Sequence, residues 1–96
     1  MPTYMTQFAY TTEAWAALLD RPEDRSQVLA AHLEQFGERL LGFYYAFSAY
    51  DGVVSYEVSN ETAATAAMMS IAALGHDKAI HTTQLLTVAQ AIEAMR

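Results

Sequence analysis

The sequence predicts a ferredoxin-like α+β domain, βαββαβ, with a four-stranded antiparallel sheet carrying its helices on one face. Three features carry that expectation. Segments of period-2 alternation lie at residues 3–10, 39–48, 52–58 and 79–86. Apolar stripes of helical period lie between them, and capping or turn residues stand at the junctions.

In Thr3–Tyr10, Tyr4, Thr6, Phe8 and Tyr10 alternate with Met5, Gln7 and Ala9, as on a strand. Thr11 or Thr12 can cap a short helix that turns Trp15, Leu18 and Leu19 inward. Asp20-Arg21-Pro22-Glu23 reads as a break and restart. Asp20 and Glu23 have capping-box spacing, and Pro22 sits where a missing N–H costs nothing. The following helix, to about Phe36, carries Val28, Leu29, His32, Leu33 and Phe36 as one stripe and stops at Gly37.

Arg39–Ser48 and Gly52–Val58 read as a hairpin about Ala49-Tyr50-Asp51-Gly52. Leu41, Phe43, Tyr45 and Phe47 then share a face with Val54, Tyr56 and Val58. The other face takes Tyr44, Ala46, Ser48, Val53, Ser55 and Glu57. Ser59 or Asn60 caps an alanine-rich helix ending at Gly75, with Ala64, Ala67, Met68, Ile71 and Leu74 inward. Ala79–Leu86 is the last strand, and Thr87-x-x-Gln90 opens a short terminal helix with Val88, Ile92 and Met95 on one side. Right-handed crossovers place the first and third strands in the centre, between the second and fourth. A single domain over residues 1–96 follows, with no repeat or linker.

The composition narrows the function. Hydrophobic residues make up 53% of the chain and charged ones 17%, more apolar content than a small monomer hides easily, so a homodimer or higher even-numbered assembly is expected. The net charge is −6, and the basic residues Arg21, Arg25, Arg39, Lys78 and Arg96 are scattered. Nucleic acid and anionic membrane surfaces, which need clustered cations, are not expected partners. The absence of cysteine removes disulfides, thiolate metal sites and cysteine nucleophiles. No signal-like run opens the sequence, and a cytoplasmic location is expected. No phosphate-binding glycine loop is present, and no cofactor is expected.

The opening Pro2-Thr3-Tyr4, the break at Asp20-x-Pro22 and Gly42-Phe43-Tyr44 leading to Tyr50-Asp51 together resemble the GYD-domain family of small, mostly bacterial proteins. The likeness continues through Ala73-Leu74-Gly75 and Thr82-Thr83. Ala49 replaces the glycine that gives the family its name, so Gly52 is expected to supply the backbone freedom instead. The stretch Gly75–Ala79 is also longer than the family pattern. The resemblance implies a ferredoxin-like fold of the dimeric α/β-barrel kind. That wider group includes cofactor-free monooxygenases, lactone isomerases and polyketide cyclases, but the GYD family supplies no reaction or catalytic residue to carry over.

The sheet face turned away from the helices is the expected site. Antiparallel registers there would set Gln7 near Ser55 and Thr83, Tyr44 near Glu57, and His81 near Ala9 and Val53. An acid, an imidazole, a phenol and an amide over the apolar Met5, Val53 and Leu85 suit a small-molecule pocket. Glu57 is the acid/base candidate, since burial at a dimer face would raise its pKa; the competing reading is a solvated rim carboxylate. His81 could shuttle a proton or have no role, and Tyr44 is catalytic acid or interface packing. A one-residue slip would invert every one of these assignments.

Tyr50 and Asp51 read more readily as turn architecture than as chemistry. His76, Asp77 and His81 are close in sequence, yet ligands on a helix end and a strand seldom converge on a metal, and none is expected. His32 reads as a satisfied core histidine, and Trp15 and the five methionines as packing. Two functions stay open: a homodimer binding a small hydrophobic molecule on the open sheet face, or a cofactor-independent enzyme acting there on an aromatic or polyketide-like compound. In the second, Glu57, His81 and Tyr44 would be the acid/base groups and Gln7, Ser55 and Thr83 would bind.

Overall fold

A computed structural model describes residues 1–96. Its elements are β1 (Thr3–Tyr10), α1 (Thr12–Asp20), α2 (Arg25–Glu34), β2 (Arg39–Tyr45), β3 (Gly52–Glu57), α3 (Glu61–Ala73), β4 (Asp77–Leu85) and α4 (Val88–Ala94). The strands form one antiparallel sheet in the order β2-β3-β1-β4. The fold is therefore ferredoxin-like, with two helices filling the first crossover.

Helix boundaries follow the caps. The Thr11 hydroxyl accepts from the Ala14 amide, Asn60 from Ala63, and Thr87 and Gln90 form a complete capping box. The start of α2 differs from expectation: Asp24, not Asp20, caps it by accepting from the Ser26 amide. Pro22 disfavours helical backbone at Arg21, so α1 ends there and α2 begins only beyond the linker. Gly37 at φ 72° and Gly75 at φ 74° close α2 and α3 in the left-handed conformation.

The core sits between the sheet and α1–α3. Phe8, Leu33, Val54, Tyr56, Val58, Ala64 and Ala67 are buried there, with Trp15, Leu18, Leu29, Phe36 and Phe43 packed against them. Leu19, expected inward, is 77% exposed because α1 is short and turns Ala14, Trp15 and Leu18 onto the core instead. The terminal α4 buries no residue. Consistently, the radius of gyration is 14.3 Å, against about 12.5 Å for a compact chain of this length.

The hairpin departs most from the alternation. A bulge between Leu40 and Gly42 puts Leu40, opposite Tyr56, on the core side and leaves Leu41 45% exposed. One extra residue shifts the pleat, so a strict period-2 count assigns Leu41 to the wrong face. β2 ends at Tyr45, and Ala46, Phe47 and Ser48 belong to the loop, not to the two strand faces expected for them.

The loop is held at a distance from its own turn. The Asp51 carboxylate accepts from the Tyr10 amide and the Trp15 indole N–H, each at 2.9 Å. The Asp51 amide donates to the Phe8 carbonyl at 2.8 Å. Position 52 does not supply left-handed freedom; Phe47 takes the positive φ, at 56°. Gly52 is required for space instead, because a Cβ there would lie 2.3 Å from Phe8 Cζ. Phe8 is itself 6% exposed and packed, so its ring has little room to yield.

Gly52→Ala should therefore lower stability by about 1–3 kcal/mol, as overpacking does. Chemical denaturation of the single variant and of Gly52→Ala with Phe8→Leu measures this, the second change restoring part of the loss.

Candidate functional site

Pairing of β1 with both neighbours fixes the open sheet face. Across β2-β3-β1-β4, one row reads Tyr44, Val53, Gln7, His81. The next reads Gly42, Ser55, Met5, Thr83, and the third Arg39, Glu57, Thr3, Leu85. The six residues singled out from the sequence thus share a face, but not the expected neighbours. Gln7 stands beside His81 and Val53 rather than Ser55 and Thr83, and Tyr44 stands beside Val53 rather than Glu57. His81 lies opposite Gln7 and not near Ala9, which pairs with Ala79. The two β1 registers lie two residues from the expected ones and the β2–β3 register four, and an even shift preserves the faces.

Gln7 and His81 can meet one ligand. Glu57 lies four residues along and two strands across from His81, about 16 Å by strand and ladder spacing. It pairs instead with Arg39, at 3.5 Å. Tyr44 is 69% exposed and the Tyr50 ring lies 6.3 Å from that of His81.

A cavity of about 100 Å³ lies on the opposite face, between the sheet and the helices α2 and α3. Leu29, Leu33, Phe43, Val54, Ile71 and Ile80 are among its apolar walls. Its polar groups are Thr6, Tyr10, Arg25, His32, Tyr56, His76 and Asp77. Thr6 Oγ1 shares hydrogen bonds with Tyr56 OH at 2.7 Å and Thr82 Oγ1 at 2.9 Å. Burial raises the Tyr56 phenol, and burial with the Tyr45 hydroxyl, 3.5 Å away, raises Tyr10. Burial also raises Asp77, against the opposing pull of His76 and Arg25.

Two of these residues carry a fully buried polar atom without a protein partner, His32 Nε2 and Asp77 Oδ1. His32 is thus not the satisfied core histidine its stripe suggested. Asp77 is among the cavity residues while His81 faces the other side of the sheet, and no group of three His, Asp or Glu side chains is placed to hold a metal. Sequence reasoning passed over Arg25, His32 and Asp77 as cavity residues. The available signal was one polar member, His32, inside an otherwise apolar stripe; nothing local marked the other two.

The sequence matches the GYD domain over residues 4–95. The chain belongs to the GYD-domain family. No curated protein matches it. Among solved structures, the GYD domain resembles MtbAldR at 11% identity and a TM-score of 0.62, covering 90% of this chain and 52% of that one. The chain thus spans about half of MtbAldR. It resembles hypothetical protein PHS023 from Pyrococcus horikoshii at 15% identity and 0.57, covering 91% and 92% of the two chains. It also resembles an uncharacterized NIPSNAP domain protein from Burkholderia xenovorans at 15% identity and 0.53, covering 93% and 96%. Identities this low speak for the fold alone. No helix of the GYD domain is long and apolar enough to cross a membrane.

Apart from the cavity, Glu38 is 3% exposed with neither carboxylate oxygen hydrogen-bonded, and burial lifts its pKa to about 7. A raised carboxyl pKa means that the folded state binds the proton more tightly than the unfolded one. Stability should therefore fall as pH rises from about 4.5 to about 7 and level off above. Glu38→Gln should flatten that slope and gain about 1–3 kcal/mol at pH 8, since it removes a buried unpaired charge. Thermal melts of both proteins across this range test it.

The Trp15 indole bond, chiefly, and the Tyr10 amide hold Asp51 below the usual carboxylate range. Its contribution should persist above about pH 4 and be lost as pH falls through the lowered folded-state value. Asp51→Ala should lower the melting temperature at pH 7 and shift the fluorescence of Trp15, the single tryptophan.

Proposed function

We propose that this GYD domain binds a small, largely apolar molecule in the cavity between α2, α3 and the sheet, and that it works as a homodimer closed across the open sheet face. The cavity carries the reading. It is walled mostly by aliphatic and aromatic side chains, with a few polar groups, the composition that ligand pockets share. This moves the ligand from the face expected in the sequence to the opposite one.

The open face keeps a different task. Helices cover only one side of the sheet, and Met5, Val53 and Leu85 stay half-buried on the other beside the exposed Tyr44. A second copy would cover them. The enzyme alternative, with Glu57, His81 and Tyr44 as acid/base groups and Gln7, Ser55 and Thr83 binding, has weaker support. Glu57 already has Arg39 as its counter-ion and stands apart from His81.

Titration with benzene, followed through methyl resonances, tests the cavity. Shifts at Leu29, Val54, Ile71 and Ile80 are expected; shifts at Val53 and Leu85 alone would return the site to the open face. Light scattering at micromolar concentration should give a dimer mass or a higher even multiple, and a monomer mass would reject the assembly.

A further inference from the structure

The apolar cavity is not enclosed. Val28 and Leu74, both in its lining, are 47% and 58% exposed, and His76, a third lining residue, is exposed as well. Along this lining the charge runs against that of the chain. The net charge is −6 with only five lysines and arginines, yet the lining holds Arg25, two of the three histidines and a single acid, Asp77.

The fold brings the rim groups together from three elements and a turn. Tyr10 ends β1 and pairs with Asp77 at the start of β4, and the Thr11 amide donates to the His76 carbonyl at 2.9 Å. Arg25 opens α2, and its guanidinium stands beside the Tyr10 hydroxyl. Its side chain is 27% exposed, so a solute can reach it. Arg25 gives one N–H to Glu23 at 2.7 Å, but Glu23 is half-exposed and surface pairs of this kind are weak. A guanidinium has five donors, so others remain for a ligand.

Asp77 opposes an anion less than its formal charge implies. Burial raises its carboxyl, which favours the uncharged form, and its Oδ1 is fully buried. One permanent cation then matches one negative charge. A dianion would bring a second charge to an apolar cavity without a partner, and an organic cation would meet Arg25 itself. Size sets the rest of the ligand: a dry cavity of about 150 Å³ holds benzene. This one, at about 100 Å³ and open to the surface, suits a single ring with its head group outward.

Resting on the cavity reading above, we propose that the ligand is a small apolar monocarboxylic acid, bound as its anion. Its ring-sized body fills the cavity, and its carboxylate is held by Arg25 beside the Tyr10 hydroxyl and His76. The test compares benzoate, benzamide, benzene and benzamidinium, which share a ring and differ in the head group, by methyl-resonance titration of the full chain at low salt. Benzoate should bind at least about tenfold tighter than benzamide, the margin of a hydrogen bond to a charged group, and benzamidinium should bind most weakly. The advantage of benzoate should shrink at high salt. The side-chain Nε resonance of Arg25 should move with benzoate and not with benzene. In Arg25→Gln, benzoate affinity should fall to that of benzamide; if that variant fails to fold, the Arg25 resonance of the unaltered protein decides.

Equal binding of benzoate and benzamide would overturn the carboxylate assignment and leave the cavity reading standing. Tightest binding of benzamidinium would overturn the ligand class. Binding of none of the four, or shifts confined to Val53 and Leu85, would defeat the cavity reading and this proposal together.

Discussion

The Asp51 carboxylate accepts from the Tyr10 amide and the Trp15 indole, while the Asp51 amide donates to the Phe8 carbonyl. One residue of the β2–β3 loop is thus tied to the end of the central strand and to the first helix. Gly52 follows at once and lies beneath the Phe8 ring, so β3 can start only in one register on β1. From that pair the rows of the whole sheet are counted. The same bonds bring Trp15 against Tyr10 and Tyr45, with ring centroids 5.1 and 5.7 Å away, and Phe47 closes over Trp15 at 5.7 Å. Phe47 adopts positive φ, a cost that ring packing helps to offset.

Because β1 is paired on both sides, its alternation is imposed on its neighbours. Thr6, Phe8 and Tyr10 face the helices, and their partners Val54, Ile80 and Thr82 follow them. Met5 and Gln7 face away, with Ser55, Val53, Thr83 and His81. The sheet separates two chemistries: a helix-covered side with a cavity, buried hydroxyls and unpartnered polar atoms, and an open side with apolar and neutral polar groups in rows.

Most of the architecture was legible because it rests on local rules. Caps at Thr11, Asn60 and Thr87, left-handed glycines at 37 and 75, and the stripe of α2 each follow from a few adjacent residues. Face assignment on β1 and β3 was equally legible, since period 2 survives a two-residue error of register. Apart from the cap of α2, which is Asp24 and not Asp20, what failed was non-local. The Leu40–Gly42 bulge has no mark in the alternation, and the partners of Asp51 lie 41 and 36 residues away in sequence. The location of the cavity was missed for a related reason. A gap is a property of how helices rest on a sheet, and the patterns that define each surface say nothing about the space left between them.

The placement of the acidic groups separates structure from ligand chemistry. Asp51 has two donors and its ionised form is stabilised; it serves the frame. Glu38 has no donor and does not line the cavity, so its burial costs stability near neutral pH without offering anything to a ligand there. Asp77 also has an oxygen without a partner, but unlike Glu38 it is among the residues that line the cavity. Tyr10 links the two cases, since its amide belongs to the Asp51 clamp and the residue lines the cavity. The bond that holds the hairpin to the central strand therefore also holds one wall of the cavity, and loosening the clamp should disturb that wall before it disturbs the rest of the core.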